Sequence, residues 1–369
     1  MRAPIAADVA RPLAAGPTLT RSAMLLSGGL LLLAGVMVAA VAVGSVGVGI
    51  GDTAAILGKR LLALPLTDTW APYAEQIIFE IRLPRVLTAM LVGGGLAMAG
   101  TVFQALLRNP LADPYIIGTA AGASLGAAAG IAAPLLVPAL AVGAATQWLG
   151  IGLVQLLAFA GGLLTVLVVY AIARANGGVG VVTLLLTGYA VSSVLAASVA
   201  LLMFASGRAL GAIFAWLMGS LANARWETLA FAAPLLAVCF LVLLPRWRNL
   251  NLLMLGDGPA ANLGVDVERE KLLLTMLATL ATSAMVAISG TIGFVGLVVP
   301  HLLRLAIGPD HRLLLPGSIL LGASLLTVAD LLARLANGIP VGIVTALIGA
   351  PFFLYLLRRS RTAMPVAAG

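Results

Sequence analysis

The chain has 369 residues, 62% of them apolar and only 9% charged, with a formal net charge of +8 and a mean hydropathy of +1.13. Soluble domains carry about a quarter charged residues, so water is excluded as the main solvent. The basic residues are scattered between apolar runs rather than gathered in a patch, which argues against nucleic acid as a partner and for membrane lipid.

Apolar runs of about 20 residues recur from end to end, the length that crosses a bilayer as a helix. In chain order they place ten spans at 23–44, 83–107, 115–136, 148–172, 180–204, 227–245, 271–289, 293–308, 314–335 and 341–358. The expected fold class is an all-α integral membrane protein: ten transmembrane helices with short helices in its outer and cytoplasmic connections. A cytoplasmic tail over 1–22 precedes the ten-span domain of 23–359, and a second cytoplasmic tail covers 360–369.

The first run comes after Arg2, Arg11 and Arg21 and carries a weak small-residue cleavage pattern at Ala40 and Ala42. It is longer than the ~7–15 residues of a signal core, which favours an uncleaved first span over a removable signal. With the N-terminus inside, 14 of the 21 Lys and Arg residues fall in the cytoplasm and seven outside, the direction of the positive-inside rule. In the first outer loop, Asp52, Asp68, Glu75 and Glu80 can neutralise most of Lys59, Arg60, Arg82 and Arg85.

The third span places Gly118, Gly122, Gly126 and Gly130 four apart, a stripe on which another backbone can approach closely. With 42 glycines and 19 prolines overall, several spans are expected to be kinked or broken. A bilayer permits that only where the freed backbone faces protein or a water-filled cavity. Residues 207–226 are too short and interrupted for a crossing and read as an outer helix lying across the bundle. The longest inner connection, about 246–270, predicts a short helix capped by Asp257, with Pro259 in its first turn and Gly264 at its end. Such a helix is either a handle for a soluble partner or an ordinary structured loop. Asp266 can cap the seventh span. Near the outer end of the ninth, Asp330 and Arg334 stand four apart and can pair.

Chemistry of its own is missing from the chain. The one Gly-Lys pair, Gly58 and Lys59, runs into Arg60 rather than completing a phosphate loop, and neither His301 nor His311 belongs to an H-E-x-x-H set. His301 reads as a hydrogen-bonded structural residue, Cys239 as a small buried hydrophobe, and no G-x-S-x-G elbow is present. Few carboxylates lie deep in the spans, which weighs against an ion-coupled secondary transporter.

Three stretches carry a specific resemblance: RLPRVLTAMLVGGGLAMAGTVFQALLRNPLADPYIIGTAAGASLGA over 82–127, WLMGSL over 216–221, and the region 290–359 with GTIGFVGLVVPHLLRLAIGPDHRLLLPG and PVGIVTALIGAPFFLYLLRR. Together they look like the FecCD/BtuC-like permeases, the membrane subunits of type II ABC importers for iron-siderophores, heme and cobalamin. The resemblance implies a non-enzymatic subunit of the bacterial inner membrane with both termini cytoplasmic. It forms a homodimer with the path along its axis and works with two cytoplasmic ATPase subunits and a periplasmic substrate-binding protein. The chain itself holds no cofactor; ATP and Mg belong to the partner ATPase.

By the same resemblance, Arg82 and Arg334 dock the binding protein through its glutamates, a task suited to the bidentate guanidinium. Asp257, Gly258, Pro259, Ala260, Ala261, Asn262, Leu263 and Gly264 form the coupling helix that seats in the ATPase, with Asp257-Gly258 where an acidic or bulkier pair is usual. The cytoplasmic gate falls at Asn109, Pro110 and Leu111 and at the 177–181 turn, with Gly178 and Val179. The implied cargo is an iron complex, heme or a ferric siderophore, with cobalamin as the alternative.

Overall fold

In long runs of Leu, Ala, Val and Gly, the helix is the one local structure that pairs its own N–H and C=O groups within the segment, as an apolar solvent demands. A computed structural model describes residues 19–44, 47–67, 70–136, 147–148, 151–174 and 180–363. Each expected span coincides with a helix. These are α1 (Leu19–Ala42), α4 (Leu83–Leu106), α5 (Thr119–Leu136), α6 (Leu153–Arg174), α7 (Val181–Ala205), α9 (Trp226–Leu243), α12 (Val267–Ser289), α13 (Val295–Ile307), α14 (His311–Leu335) and α15 (Val341–Ala363). Between them lie α2 (Ile50–Leu62), α3 (Pro72–Gln76), α8 (Leu210–Leu217), α10 (Trp247–Met254) and α11 (Asp257–Asn262). The only strands among the described residues, β1 (Gln147–Trp148) and β2 (Ile151–Gly152), make one short antiparallel pair, a small departure from an all-α chain.

Seven helical runs among the described residues are long and apolar enough to cross a membrane: α1, the continuous run Pro72–Leu106, α6, α7, the run Trp226–Met254, α12 and α14. The helices at the other three expected spans, α5, α13 and α15, do not reach that measure. Helix α13 has 13 residues, about 20 Å at 1.5 Å per residue. Its shortness has a cause: residues 290–294, expected to lie at or beside a helix start, are non-helical, with Gly290 and Ile292 buried.

Several boundaries differ from expectation. The first outer loop holds α2, and α3 runs through a π-helical turn, Ile77–Arg82, straight into α4. The inner connection carries the additional amphipathic helix α10. The N-cap of α11 is Gly256 at φ 116° rather than Asp257, because only glycine enters that backbone region without strain. Asp257 is thereby freed to form ion pairs. Gly264 at φ 88° ends the turn as expected, and Asp266 caps α12 by accepting from the Arg269 N–H at 3.2 Å.

Glycine sets how closely the helices approach. On α5, a Cβ at Gly122 or Gly126 would run into the α6 backbone at Gly161 or Leu157, and one at Gly130 would lie 2.9 Å from the Val154 Cα. On α4, Gly93 faces the Gly322 carbonyl of α14 and Gly100 the Gly296 carbonyl of α13. Helix α4 is thus enclosed on nearly all sides, with Met98, Val102 and Phe103 wholly buried.

Where helices break inside this packing, side chains replace the missing backbone partners. The Tyr115 hydroxyl donates to the Ile292 carbonyl at 3.0 Å and accepts from the Ile292 N–H at 3.2 Å. The Thr291 hydroxyl donates to the Leu217 carbonyl, and the Ser220 N–H to the Ser289 carbonyl at 2.8 Å. The break between α12 and α13 is therefore pinned to the loop before α5, to the last residue of α8 and to the segment after it. Tyr115→Phe removes both bonds to Ile292 and leaves two buried backbone groups unpaired, so detergent-solubilised protein should lose about 2–3 kcal/mol of stability. An unchanged melting temperature would show that Tyr115 is not the clamp.

Candidate functional site

The first cluster lies at the end of the bundle where α1 stops. A helix leaves its last carbonyls without intrahelical donors. Here the Val43 N–H still reaches Ala39, and two arginines satisfy the carbonyls beyond that point. Arg82 Nη1 donates to the Val41 and Ala42 carbonyls, both at 2.9 Å. Arg334 Nη2 donates to Ala40 at 2.9 Å and its Nη1 to Val43 at 3.2 Å. Cations at a helix C-terminus also meet the negative end of its dipole. Gly44 makes room, since a Cβ there would come within 2.8 Å of the Arg82 guanidinium.

The paired charges sit one layer further along. Asp330, 1% exposed, pairs with Arg334 at 3.1 Å, so the expected pairing four residues apart is formed. The same carboxylate takes a two-pronged contact from Arg85, whose Nε and Nη2 lie 2.9–3.1 Å from its oxygens. Sequence reasoning left Arg85 among the neutralised charges of the outer loop. Its signal was its place three residues after Arg82 on one helix face, but the partner is 245 positions away. Two guanidinium groups, those of Arg85 and Arg334, thus share one carboxylate, and together with Arg82 they line a cleft of about 530 Å³ with Ile77, Ile81, Asn337 and Gly338. Nearby, Arg60 pairs with Glu75 and Lys59 lies over the Trp70 ring; Asp68 lies outside the described residues. Arg82 is 4% exposed, so neither arginine singled out for docking is a free surface side chain. Each faces the cleft from a position held by α1.

The second cluster lies at the opposite end of the bundle. Helix α11 buries Ala260 and exposes Gly258, Pro259, Ala261, Asn262, Leu263 and Gly264, while Leu255 stands exposed just before it. Asp257 is bound by Lys271 Nζ at 2.6 Å and approached by Arg108 Nη2 at 3.8 Å. In the turn after α4, Asn109 and Pro110 are exposed and Leu111 half-buried, and the Asn109 Oδ1 accepts from the Leu111 N–H at 3.0 Å. The Nδ1 of His301, expected in a hydrogen bond, is buried without one among the described residues. The structure therefore brings the 109–111 turn close to α11. Gly178 and Val179 lie outside the described residues, although Arg174 just before them pairs with Glu268 at 3.9 Å.

A family profile, the FecCD transport family, matches residues 24–359. The chain belongs to the FecCD transport family. The resemblance read from its motifs is borne out, and a FecCD chain is a permease subunit of an ABC importer. Over 297 residues it is 47% identical to the cobalamin import system permease protein BtuC of Halobacterium salinarum, covering 80% of this chain and 77% of that one. It is 43% identical to the hemin transport system permease protein HmuU of Yersinia pestis, covering 78% and 84%. A solved structure described as an inward-facing conformation of a metal-chelate type ABC transporter matches this FecCD chain at a TM-score of 0.77 and 33% identity, covering 91% of this chain and 99% of that one.

Removing one member of a buried charge cluster costs more than the cluster contributes, because the remaining charges lose their counterion. Asp330→Asn is expected to destabilise the protein by roughly 3–5 kcal/mol, read as a lower melting temperature in detergent. A variant as stable as the parent would mean that the α1 carbonyls alone hold the arginines.

Proposed function

We propose that this FecCD chain is one of two identical halves of a ten-span import channel in the inner membrane, with its arginine-lined end facing the periplasm. A periplasmic binding protein delivers the cargo there. The carrying observation is the 530 Å³ cleft lined by Arg82, Arg85 and Arg334, the last two of which are held by the buried carboxylate Asp330. Three guanidinium groups lining one concavity suit the acidic side chain of a docking partner.

At the other end, α11 and the exposed Leu255 and Leu263 offer the seat for an ATPase, which brings the ATP and Mg. Nucleotide binding draws the two ATPases together, and α11 passes that movement to the gate at Asn109, Pro110, Leu111, Gly178 and Val179. The second copy is supported by α7, which buries only Leu184, Gly188 and Val199 while Val182, Leu186, Val194, Leu201 and Phe204 are exposed. A path between two such faces carries little charge and would not retain a large chelate.

The cargo we favour is an iron complex, heme or a ferric siderophore. Relatives named for hemin, for Fe(3+) dicitrate at 41% identity and for iron chelatin at 40% support it. Cobalamin is the second reading, favoured by the 47% identity to the Halobacterium permease.

Two measurements test this. In a reconstituted complex, ATP hydrolysis should rise most with the binding protein carrying heme or a ferric siderophore. A larger rise with cobalamin would replace the favoured cargo, and no rise with any of the three would remove the importer reading. Arg82→Gln with Arg334→Gln removes both charges and should weaken binding-protein capture at least tenfold, with membrane insertion of the variant checked in parallel. Uptake equal to the parent's would eliminate the docking assignment.

A further inference from the structure

Helix α4 ends on an arginine where the backbone favours glycine. The Arg108 N–H bonds the Ala105 carbonyl at 3.2 Å and the Asn109 N–H the Gln104 carbonyl at 3.1 Å, the paired bonds of a Schellman ending. Arg108 takes its left-handed position at φ 49°, a conformation that strains any residue with a Cβ and that glycine adopts freely. Strain kept at one position invites a search for what the side chain does there.

The side chain reaches α11. Its Nη2 lies 3.8 Å from Asp257 Oδ1, and its Nη1 lies against Gly256, where a Cβ would stand 3.3 Å away. Lys271 of α12 holds the same carboxylate at 2.6 Å. Arg108 is thus the bridge from the end of α4 to the residue that opens α11. On its other side lies a turn that is stiff for its size: besides the Asn109 contact to Leu111, the Ala112 N–H donates to the Asn109 carbonyl at 3.1 Å. Arg108 and Asp257 have side chains 41% and 50% exposed. A pair so open to water adds little to stability, which leaves position rather than folding as its use.

We propose that Arg108 is a positioning residue for transport, the strut through which movement of α11 shifts the Asn109-Pro110-Leu111 turn. The inference rests on the reading of α11 as the ATPase seat. Arg108→Gly tests it, since glycine suits the backbone and removes only the side chain. In the reconstituted complex of permease, ATPase and binding protein, the glycine variant should melt no lower than the parent yet move at least tenfold less substrate per ATP hydrolysed. Arg108→Lys keeps the charge and should stay within about threefold of the parent. Parental yield per ATP in the glycine variant would overturn the proposal, as would an equal loss in both variants. Leu263→Asp separates the premise: it should release the ATPase on co-purification, and an ATPase that stays bound would refute α11 as the seat whatever Arg108 does.

Discussion

An apolar interior leaves no solvent to satisfy a backbone group, and this one constraint explains most of the architecture. Intact helices meet it alone. Pro134, Pro234, Pro300, Pro316 and Pro351 all lie inside helices and each withholds a donor, while residues 290–294 abandon the helix altogether. At that break the partners come from far along the chain: Tyr115 for Ile292, Leu217 for Thr291 and Ser220 for Ser289. Gly219, Gly290 and Gly296, where a Cβ would meet the Thr291 carbonyl, the Trp216 carbonyl and the Pro114 ring, bring those partners within reach. Close packing and broken helices are therefore one device, and neither would survive without the other.

The same constraint accounts for the arginines at the end of α1. Four carbonyls, from Ala40 to Val43, would otherwise lack donors, and Arg82 and Arg334 supply four hydrogen bonds between them. A structural use and a docking use need not compete. A guanidinium carries five donors, so an arginine that spends two on carbonyls can still present charge to a cleft. Fixing the side chain in advance also lowers the entropy lost when a partner arrives.

The mostly helical, membrane-spanning character of the chain, the small-residue stripe of α5, the cap of α12 by Asp266 and the pairing of Asp330 with Arg334 were legible in the sequence, because each is a local pattern of period, cap or spacing; of the ten expected spans, seven helical runs among the described residues reach membrane-spanning length. The family was legible as well, through long motifs in order. Hidden from that reading were contacts with no local signature: Arg85 to Asp330, Tyr115 to Ile292, Arg108 to Asp257. The early start of α3 was masked by the charges Glu75, Glu80 and Arg82, which resemble a loop until the π turn joins it to α4. Asp257 looked like a cap because acids favour that position, but Gly256 before it admits a backbone no other residue takes without strain.

The two ends of the bundle differ in how firmly their charges are held, and that difference fits a machine that moves at one end. At the arginine end, Asp330 is almost wholly buried and its partners Arg85 and Arg334 nearly so. Separating them would strand charge away from water, a large penalty. At the other end, Arg174 with Glu268 is a solvent-washed pair 3.9 Å apart, worth about 0–1 kcal/mol. Such a pair can be exchanged for water at little cost, so the turns beside α11 can shift without disturbing the core around α4. On the proposed function, the arginine end would serve as the fixed frame against which that shift is made.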